Sequence, residues 1–312
     1  MYQKYLIFAV SLLAFFITGC ATGAKIVIPS YSPPREEAKI KKMITNNAEI
    51  PGGAYLAIAI NPNILNINRA TPKLKDFLID DIKAKLTQTN FIALNPIAGD
   101  NDVVLIMSVN NYHFTQTPNK RSLDLEVNFT LSKGAEEFLS QSYKTSKNRQ
   151  SSESKKLPSE AQLASDAAQD VVEDFIADIS PLKTFQLREF KPLPDDITYA
   201  IDYAKTKNYG GAIKAMESYK GVRDMNFYYD LAVLYEAQAS ENEDLSGLEQ
   251  ADENYNMALS RGGAKDELVK SAKARFDNFY ELLGKTKSQE AKNQGLIKNR
   301  SGELGTSKEE FE

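Results

Sequence analysis

The chain has one cysteine, one histidine and no tryptophan among its 312 residues. Zinc centres draw several ligands from cysteine and histidine, so a typical one is excluded. A lone cysteine cannot close a disulfide within the chain, which leaves an oxidising compartment unused for cross-linking. Excess positive charge is missing too: 38 Lys and Arg face 42 Asp and Glu, for a formal net charge of -4. With no basic stripe for a phosphate backbone, nucleic acid is not an expected partner. There is no phosphate-cradling loop of the GxxxxGK type, and Gly52-Gly53, Gly210-Gly211 and Gly262-Gly263 stand where turns are expected. The chemistry left is that of carboxylates, hydroxyls, Lys and Tyr, and neither metal nor cofactor is expected. The 42% hydrophobic and 26% charged content is nevertheless that of a folded protein.

Met1 to Gly19 reads as a secretory signal: Lys4 supplies the positive flank and Tyr5 to Ile17 an almost unbroken apolar run. That run falls short of the roughly 20 residues a membrane span needs. Ile17-Thr18-Gly19-Cys20 follows and resembles the lipobox of bacterial lipoproteins, with Ile17 where Leu is usual and Thr18 where Ala or Ser is usual. The resemblance implies a diacylglycerol thioether on Cys20, cleavage before it and acylation of the new N-terminus, which together anchor stably where one chain does not. Ala21 in place of Asp implies, by the enteric sorting rule, the outer membrane, facing the periplasm. Residues 20–49 then read as a tether, since Pro29, Ser30, Ser32, Pro33 and Pro34 favour extended chain, with a short charged helix near Arg35 to Asn47.

Residues 50–182 alternate between two periods. Ala54–Ile60 is a short apolar run, and Thr71-Pro72 opens a helix with Leu74, Phe77, Leu78, Ile82 and Leu86 on one face. Phe91–Leu94 and Val103 to about Phe114 read as strands. Leu123, Leu125, Val127, Phe129 and Leu131 alternate strictly with polar residues, and Glu137–Arg149 is a more polar, edge-like partner. Pro158 to Ile179 is an amphipathic helix. The fold class expected is α+β: a mixed β-sheet packed with two helices, followed by an all-α domain. Leu78, Ile82 and Leu86, then Phe91 and Leu94, then Asp102-Val103-Val104-Leu105, resemble the small domain of curli-secretion and transport-auxiliary lipoproteins. No membrane-spanning hairpins are seen, so that resemblance does not imply a pore.

After a linker at 183–195, residues 196–284 carry a spacing that recurs. Tyr199-Ala200, Tyr203, Asn208-Tyr209 and Ala212-Ile213 are followed by Tyr228, Leu231-Ala232, Tyr235, Ala251, Tyr255 and Ala258-Leu259. This resembles tetratricopeptide repeats, in which small residues let paired helices approach and large ones fill the gaps. Leu268, Ala272, Phe276, Phe279 and Leu283 form a capping helix. The resemblance implies that a protein partner is bound, with Tyr203, Asn226 and Tyr229 as contact candidates. Residues 285–312 are polar and are expected to be a disordered tail.

No catalytic residue is assigned. His113 lacks a visible nucleophile partner, and Asp100-x-Asp102 lacks the further ligands of a calcium loop. Asp80-Asp81, Glu136-Glu137 and Asp195-Asp196 fall at surface or helix-start positions, and the acidic insert Glu241–Asp244 reads as a solvated turn. The function expected is a lipid-anchored envelope scaffold or assembly factor that binds a protein through its repeats, not an enzyme. The alternative is an auxiliary lipoprotein of a lipid, polysaccharide or protein export system acting through the α/β domain; an envelope hydrolase is a third reading. An apolar groove on the α/β domain favours the export reading, and a flat polar sheet face favours the scaffold.

Overall fold

The computed structural model describes residues 23–46, 54–89, 91–95 and 102–306. The signal segment and Cys20 lie outside the described residues. In chain order the elements are β1 (Lys25–Ser32), α1 (Glu37–Met43), β2 (Thr45–Asn46), β3 (Ala54–Tyr55), β4 (Ala57–Ile60), α2 (Leu74–Thr89) and β5 (Ala93–Asn95). There follow β6 (Val103–Thr117), β7 (Lys120–Lys133), β8 (Glu136–Gln150), α3 (Glu160–Ile179) and β9 (Leu182–Glu189). The remaining helices are α4 (Tyr199–Lys205), α5 (Tyr209–Glu217), α6 (Met225–Asn242), α7 (Leu245–Ser260) and α8 (Glu267–Thr306). The protein is thus α+β. The described residues divide into an α/β unit, within 31–183 and 282–306, and a helical unit, 23–30 with 184–281.

In the α/β unit the main sheet runs β5-β4-β6-β7-β8. β4 is parallel to β5 and β6, while β6, β7 and β8 form an antiparallel meander. Strict alternation dictates this packing. Leu123, Leu125, Val127, Phe129 and Leu131 are buried on the face that α2 and α3 cover, and their polar neighbours point the other way. A bulge between Val109 and Asn111 resets β6, so that Tyr112 pairs with Leu125 and Phe114 with Leu123, within the covered face. α2 contributes Leu74, Leu78, Ile82 and Leu86. α3 starts at Ser159, whose side chain accepts from Gln162 N, and stacks Phe175 on Phe129 with ring centroids 4.6 Å apart. Gly134 makes the β7–β8 turn at φ +58°, a conformation that costs other residues.

Two expectations need correction here. The tether is folded from residue 24 onward: Lys25–Ser32 is a strand paired with Leu182–Glu189, so much of the expected linker is strand as well. Pro29 concealed the alternation of Ile26 and Ile28, both buried, with exposed Val27; a two-stranded ribbon tolerates Pro because both its strands are edges. Residues 285–306 of the expected disordered tail are helix, because α8 continues unbroken to Thr306. Its second half buries Leu283, Thr286, Gln289, Asn293 and Leu296, a stripe at three- and four-residue spacing that is mostly polar. Those polar groups are paired: Thr286 Oγ1 donates to Leu282 O (2.9 Å), Gln289 Nε2 to Asn293 Oδ1 (3.0 Å) and Asn293 Nδ2 to Phe91 O (3.1 Å). Leu296 clusters with Ala57 and Ala93.

The helical unit pairs α4 with α5 and α6 with α7, and the first half of α8 follows them. Ala200, Ala212, Ala232, Ala251 and Ala258 are fully buried, with Tyr229, Tyr255 and Phe276 between them. Asn208, Asp224 and Asp244 cap α5, α6 and α7 through their side chains. The acidic insert is therefore the end of one helix and the cap of the next, and Glu241 pairs with Lys207 at 2.7 Å.

Candidate functional site

The three partner-contact candidates have different fates. Tyr203 is 43% exposed and meets the Tyr199 ring edge-on, with centroids 5.9 Å apart. Asn226 is half-buried and donates to Pro192 O at 3.2 Å. Tyr229 is fully buried, and its hydroxyl donates to Glu189 O at 2.8 Å, so it is a core residue. The cause is that α6 grips an extended segment of its own chain. Phe190 is buried, Asp230 Oδ1 accepts from Lys191 N at 2.8 Å, and Lys191 Nζ reaches Asp266 at 2.6 Å. Residues 188–192 thus lie along α6, held by side chains of Asn226, Tyr229, Asp230 and Glu236.

At the centre of that grip lies a buried ion pair. Arg188 and Glu236 are 1% and 0% exposed, and the guanidinium donates to the carboxylate from Nη2 at 2.5 Å and from Nε at 3.1 and 3.2 Å. Tyr255 Oη adds a donor to Glu236 Oε2 at 2.7 Å. Burial alone would pull the Arg188 guanidinium down, but the Glu236 hydrogen bonds and charge hold it above its ordinary value. Asp230 lacks such compensation: burial pushes its carboxyl well up, offset only in part by the Lys191 amide and charge, and Oδ2 has no partner. These groups hold the ribbon to the helices.

The three acidic pairs of the sequence lie on different elements. Asp80 and Asp81 sit on α2, Glu136 and Glu137 open β8, and Asp195 and Asp196 form a short turn. His113 lies on the exposed face of β6 opposite Asp124, with Nε2 3.3 Å from Thr115 Oγ1 and no cleft around it. Among the described residues no three of His, Cys, Asp and Glu converge on a point that could hold a metal. Asp100 lies outside the described residues. The sheet face away from α2 and α3 is flat and polar over β6–β8. There Asn110, Asn128, Thr130, Ser140 and Ser142 are linked by hydrogen bonds of 2.9–3.5 Å.

A different feature of the α/β unit is shaped to bind. Between α1 and the second half of α8 lies a cavity of about 460 Å³, floored by Ile40, Ile44, Leu56, Phe91 and Leu282. Its rim carries Lys41, Lys285 and Lys292 with one acid, Glu37. Glu37 lies 3.2 Å from Lys41 and 3.6 Å from Lys285, and three lysines and one acid line the cavity. Ile44 is 40% exposed, which makes the floor accessible. Apolar cavities of about 300–1,000 Å³ with a few placed polar groups are the usual form of small-ligand sites. The sequence pattern anticipates the short helix that carries Ile40 but not the site, because residues 285–292 of its wall fall in the stretch expected to be a disordered tail. The signal for that wall was the Leu283–Thr286–Gln289–Asn293–Leu296 spacing, which a search for apolar residues alone passes over.

No family model matches the chain, and no curated protein matches it. Among solved structures, the chain is similar to a DUF330 protein of Xanthomonas campestris, at 16% identity over 43% of this chain and 88% of that one, with TM-score 0.30. It is also similar to a minor lipoprotein of Acinetobacter baumannii, at 15% identity over 42% of this chain and 96% of that one, with TM-score 0.29. A third similar structure is the PelC dodecamer of Paraburkholderia phytofirmans, at 13% identity over 50% and 98% of the two chains, with TM-score 0.27. Among the described residues no helix is long and apolar enough to cross a membrane.

Proposed function

We propose that this chain is a lipid-anchored auxiliary protein of the cell envelope whose α/β unit holds an anionic amphiphile. The observation that carries this reading is the 460 Å³ cavity with its apolar floor and lysine rim. An acyl chain would lie on Ile40, Ile44, Leu56 and Phe91, and an acidic head group would meet Lys41, Lys285 and Lys292. The lipobox at Cys20 supports the reading by tethering the cavity to a membrane, where such ligands are concentrated. Recruitment and holding, with no bond made or broken, is the mechanism; the outer membrane facing the periplasm is the location proposed. The test is photo-crosslinking in membranes with a photoreactive palmitic acid, followed by peptide mapping. Label should concentrate on the peptides of α1 and of residues 282–292. The pair Lys41→Glu and Lys292→Glu should reduce it roughly tenfold or more, since hydrogen bonds to charged groups contribute about 1.5–3 kcal/mol each. Label spread evenly over the surface, or unchanged in the double variant, would refute it.

A second reading, a scaffold that binds a protein partner through tetratricopeptide-like repeats, is favoured by one observation, the exposed Tyr199–Tyr203 pair on α4. Because α6 is occupied by its own chain, the partner would have to use α4. A photo-crosslinking residue at Tyr203 that captures no protein in intact cells would remove this reading.

A further inference from the structure

The outward side of the β1–β9 ribbon carries an apolar face that the helical unit leaves uncovered. Along β1, Ile26 and Ile28 are buried while Lys25 and Val27 point outward; along β9, Arg188 is buried while Phe185 and Leu187 point outward. Val27 is 50% exposed, Leu187 55% and Phe185 74%. Alternate residues of paired strands share a face, so these side chains form one patch. Lys25 and Glu189 close an ion pair at 3.3 Å beside it, and Lys183 alternates with Phe185 and Leu187 on the same side of β9.

The length of chain between this ribbon and Cys20 identifies what covers the patch. Gly23 is three residues beyond Cys20, and three residues span at most about 11 Å. Gly23 is itself fixed to the end of β9: its N–H donates to Glu189 Oε1 at 3.2 Å, and a Cβ there would collide with the Phe190 carbonyl. The next residue, Ala24, accepts from Phe190 N at 2.8 Å. An acylated Cys20 therefore holds the end of the ribbon against the headgroup layer, which is roughly 5–8 Å deep on each side of the hydrocarbon core. We propose that Val27, Phe185 and Leu187 insert into the surface of the bilayer that the Cys20 acyl chains enter. The inference rests on the lipidation of Cys20. The ribbon is then a membrane footing, with its buried side pinned to α6 by Arg188 and its apolar side in lipid. Docking follows the apolar side chains Val27, Phe185 and Leu187.

The test uses the lipidated protein in vesicles. Cys20 is the only cysteine and its thiol is consumed by lipidation, so a Leu187→Cys protein carries one free thiol for a polarity-sensitive dye. Phe185→Cys is a second reporter, and Asn256→Cys, exposed on α7 of the same unit, is the control. In vesicles of phosphatidylcholine, with or without phosphatidylglycerol, headgroup-level spin-labelled lipid should quench the dye at 185 and 187 roughly twofold or more, as expected for side chains 5–10 Å deep. The dye at 256 should be unaffected. If the protein floats with the vesicles and all three dyes report water, the docking is overturned and the anchor stands. Dyes at 185 and 187 that are shielded equally without vesicles, in protein that sediments as a dimer, would show a second copy on the face and overturn the docking. Protein that lacks the diacylglyceryl mass and does not float overturns the anchor reading, and the docking with it.

Discussion

Removing the Glu236 carboxylate should be the most damaging single change in the helical unit. In Glu236→Ala, Arg188 keeps its charge at 1% exposure and loses its three contacts of 2.5–3.2 Å, while Tyr255 loses the acceptor of its 2.7 Å bond. A buried pair broken on one side costs about 3–5 kcal/mol, mostly the penalty of leaving the other charge unpaired. Replacing both partners by apolar residues of similar size is often neutral, so the double variant Arg188→Met with Glu236→Leu should recover most of that loss. The assay is urea unfolding at neutral pH, with hydrogen exchange of the α6 amides to separate this unit from the α/β unit. The ribbon amides of residues 188–191 should lose protection together with those of α6. A loss below about 1 kcal/mol in Glu236→Ala, or a double variant as unstable as the single, would refute the reasoning.

Asp230→Asn should stabilise the protein at neutral pH. The raised Asp230 carboxyl binds its proton more tightly folded than unfolded, so stability is greatest below the unfolded value of about 3.9 and falls as pH rises through the window up to the folded value. Each unit of that window costs about 1.4 kcal/mol at neutral pH, and a pH series of urea midpoints should flatten in the variant. Phe175→Ala should cost about 3–5 kcal/mol, because it opens a cavity under the stacked Phe129 ring; differential scanning calorimetry checks this. Leu296→Glu should forfeit about 2–3 kcal/mol of burial against Ala57 and Ala93 and expose residues 285–298 to trypsin, with the sheet intact by circular dichroism. Unchanged proteolysis there would contradict the packing of α8.

Much of the fold was legible because its elements carry strong periods. The β7 alternation, the α2 and α3 stripes and the small-residue spacing of the helical unit each state which face is buried. The export-favouring groove and the scaffold-favouring polar face were set against each other as expectations, and the α/β unit contains both, on different surfaces. Tyr229 was misread because a first repeat helix is usually open on one side, whereas here β9 returns to cover it. Nothing local to α6 announces that return. The clue was the presence of Asp230 and Glu236 among the apolar positions of α6 that become buried, two charges that needed partners from elsewhere.

The sequence by itself excluded a typical zinc centre and any disulfide within the chain, and it determined the strongly periodic elements, such as β7, α2 and α3, because composition and period are local properties. Tertiary structure decided what those elements do. It turned a proline-broken tether into a strand, because an edge strand needs no donor at Pro29. It turned a polar tail into the wall of a cavity, because Thr286, Gln289 and Asn293 find hydrogen-bond partners on folding. It packed Arg188 against α6, because a buried carboxylate 48 residues away in sequence supplies its countercharge. Long-range pairing of polar groups leaves no periodic trace in a sequence, and it is the physical reason these features appear only in the folded chain.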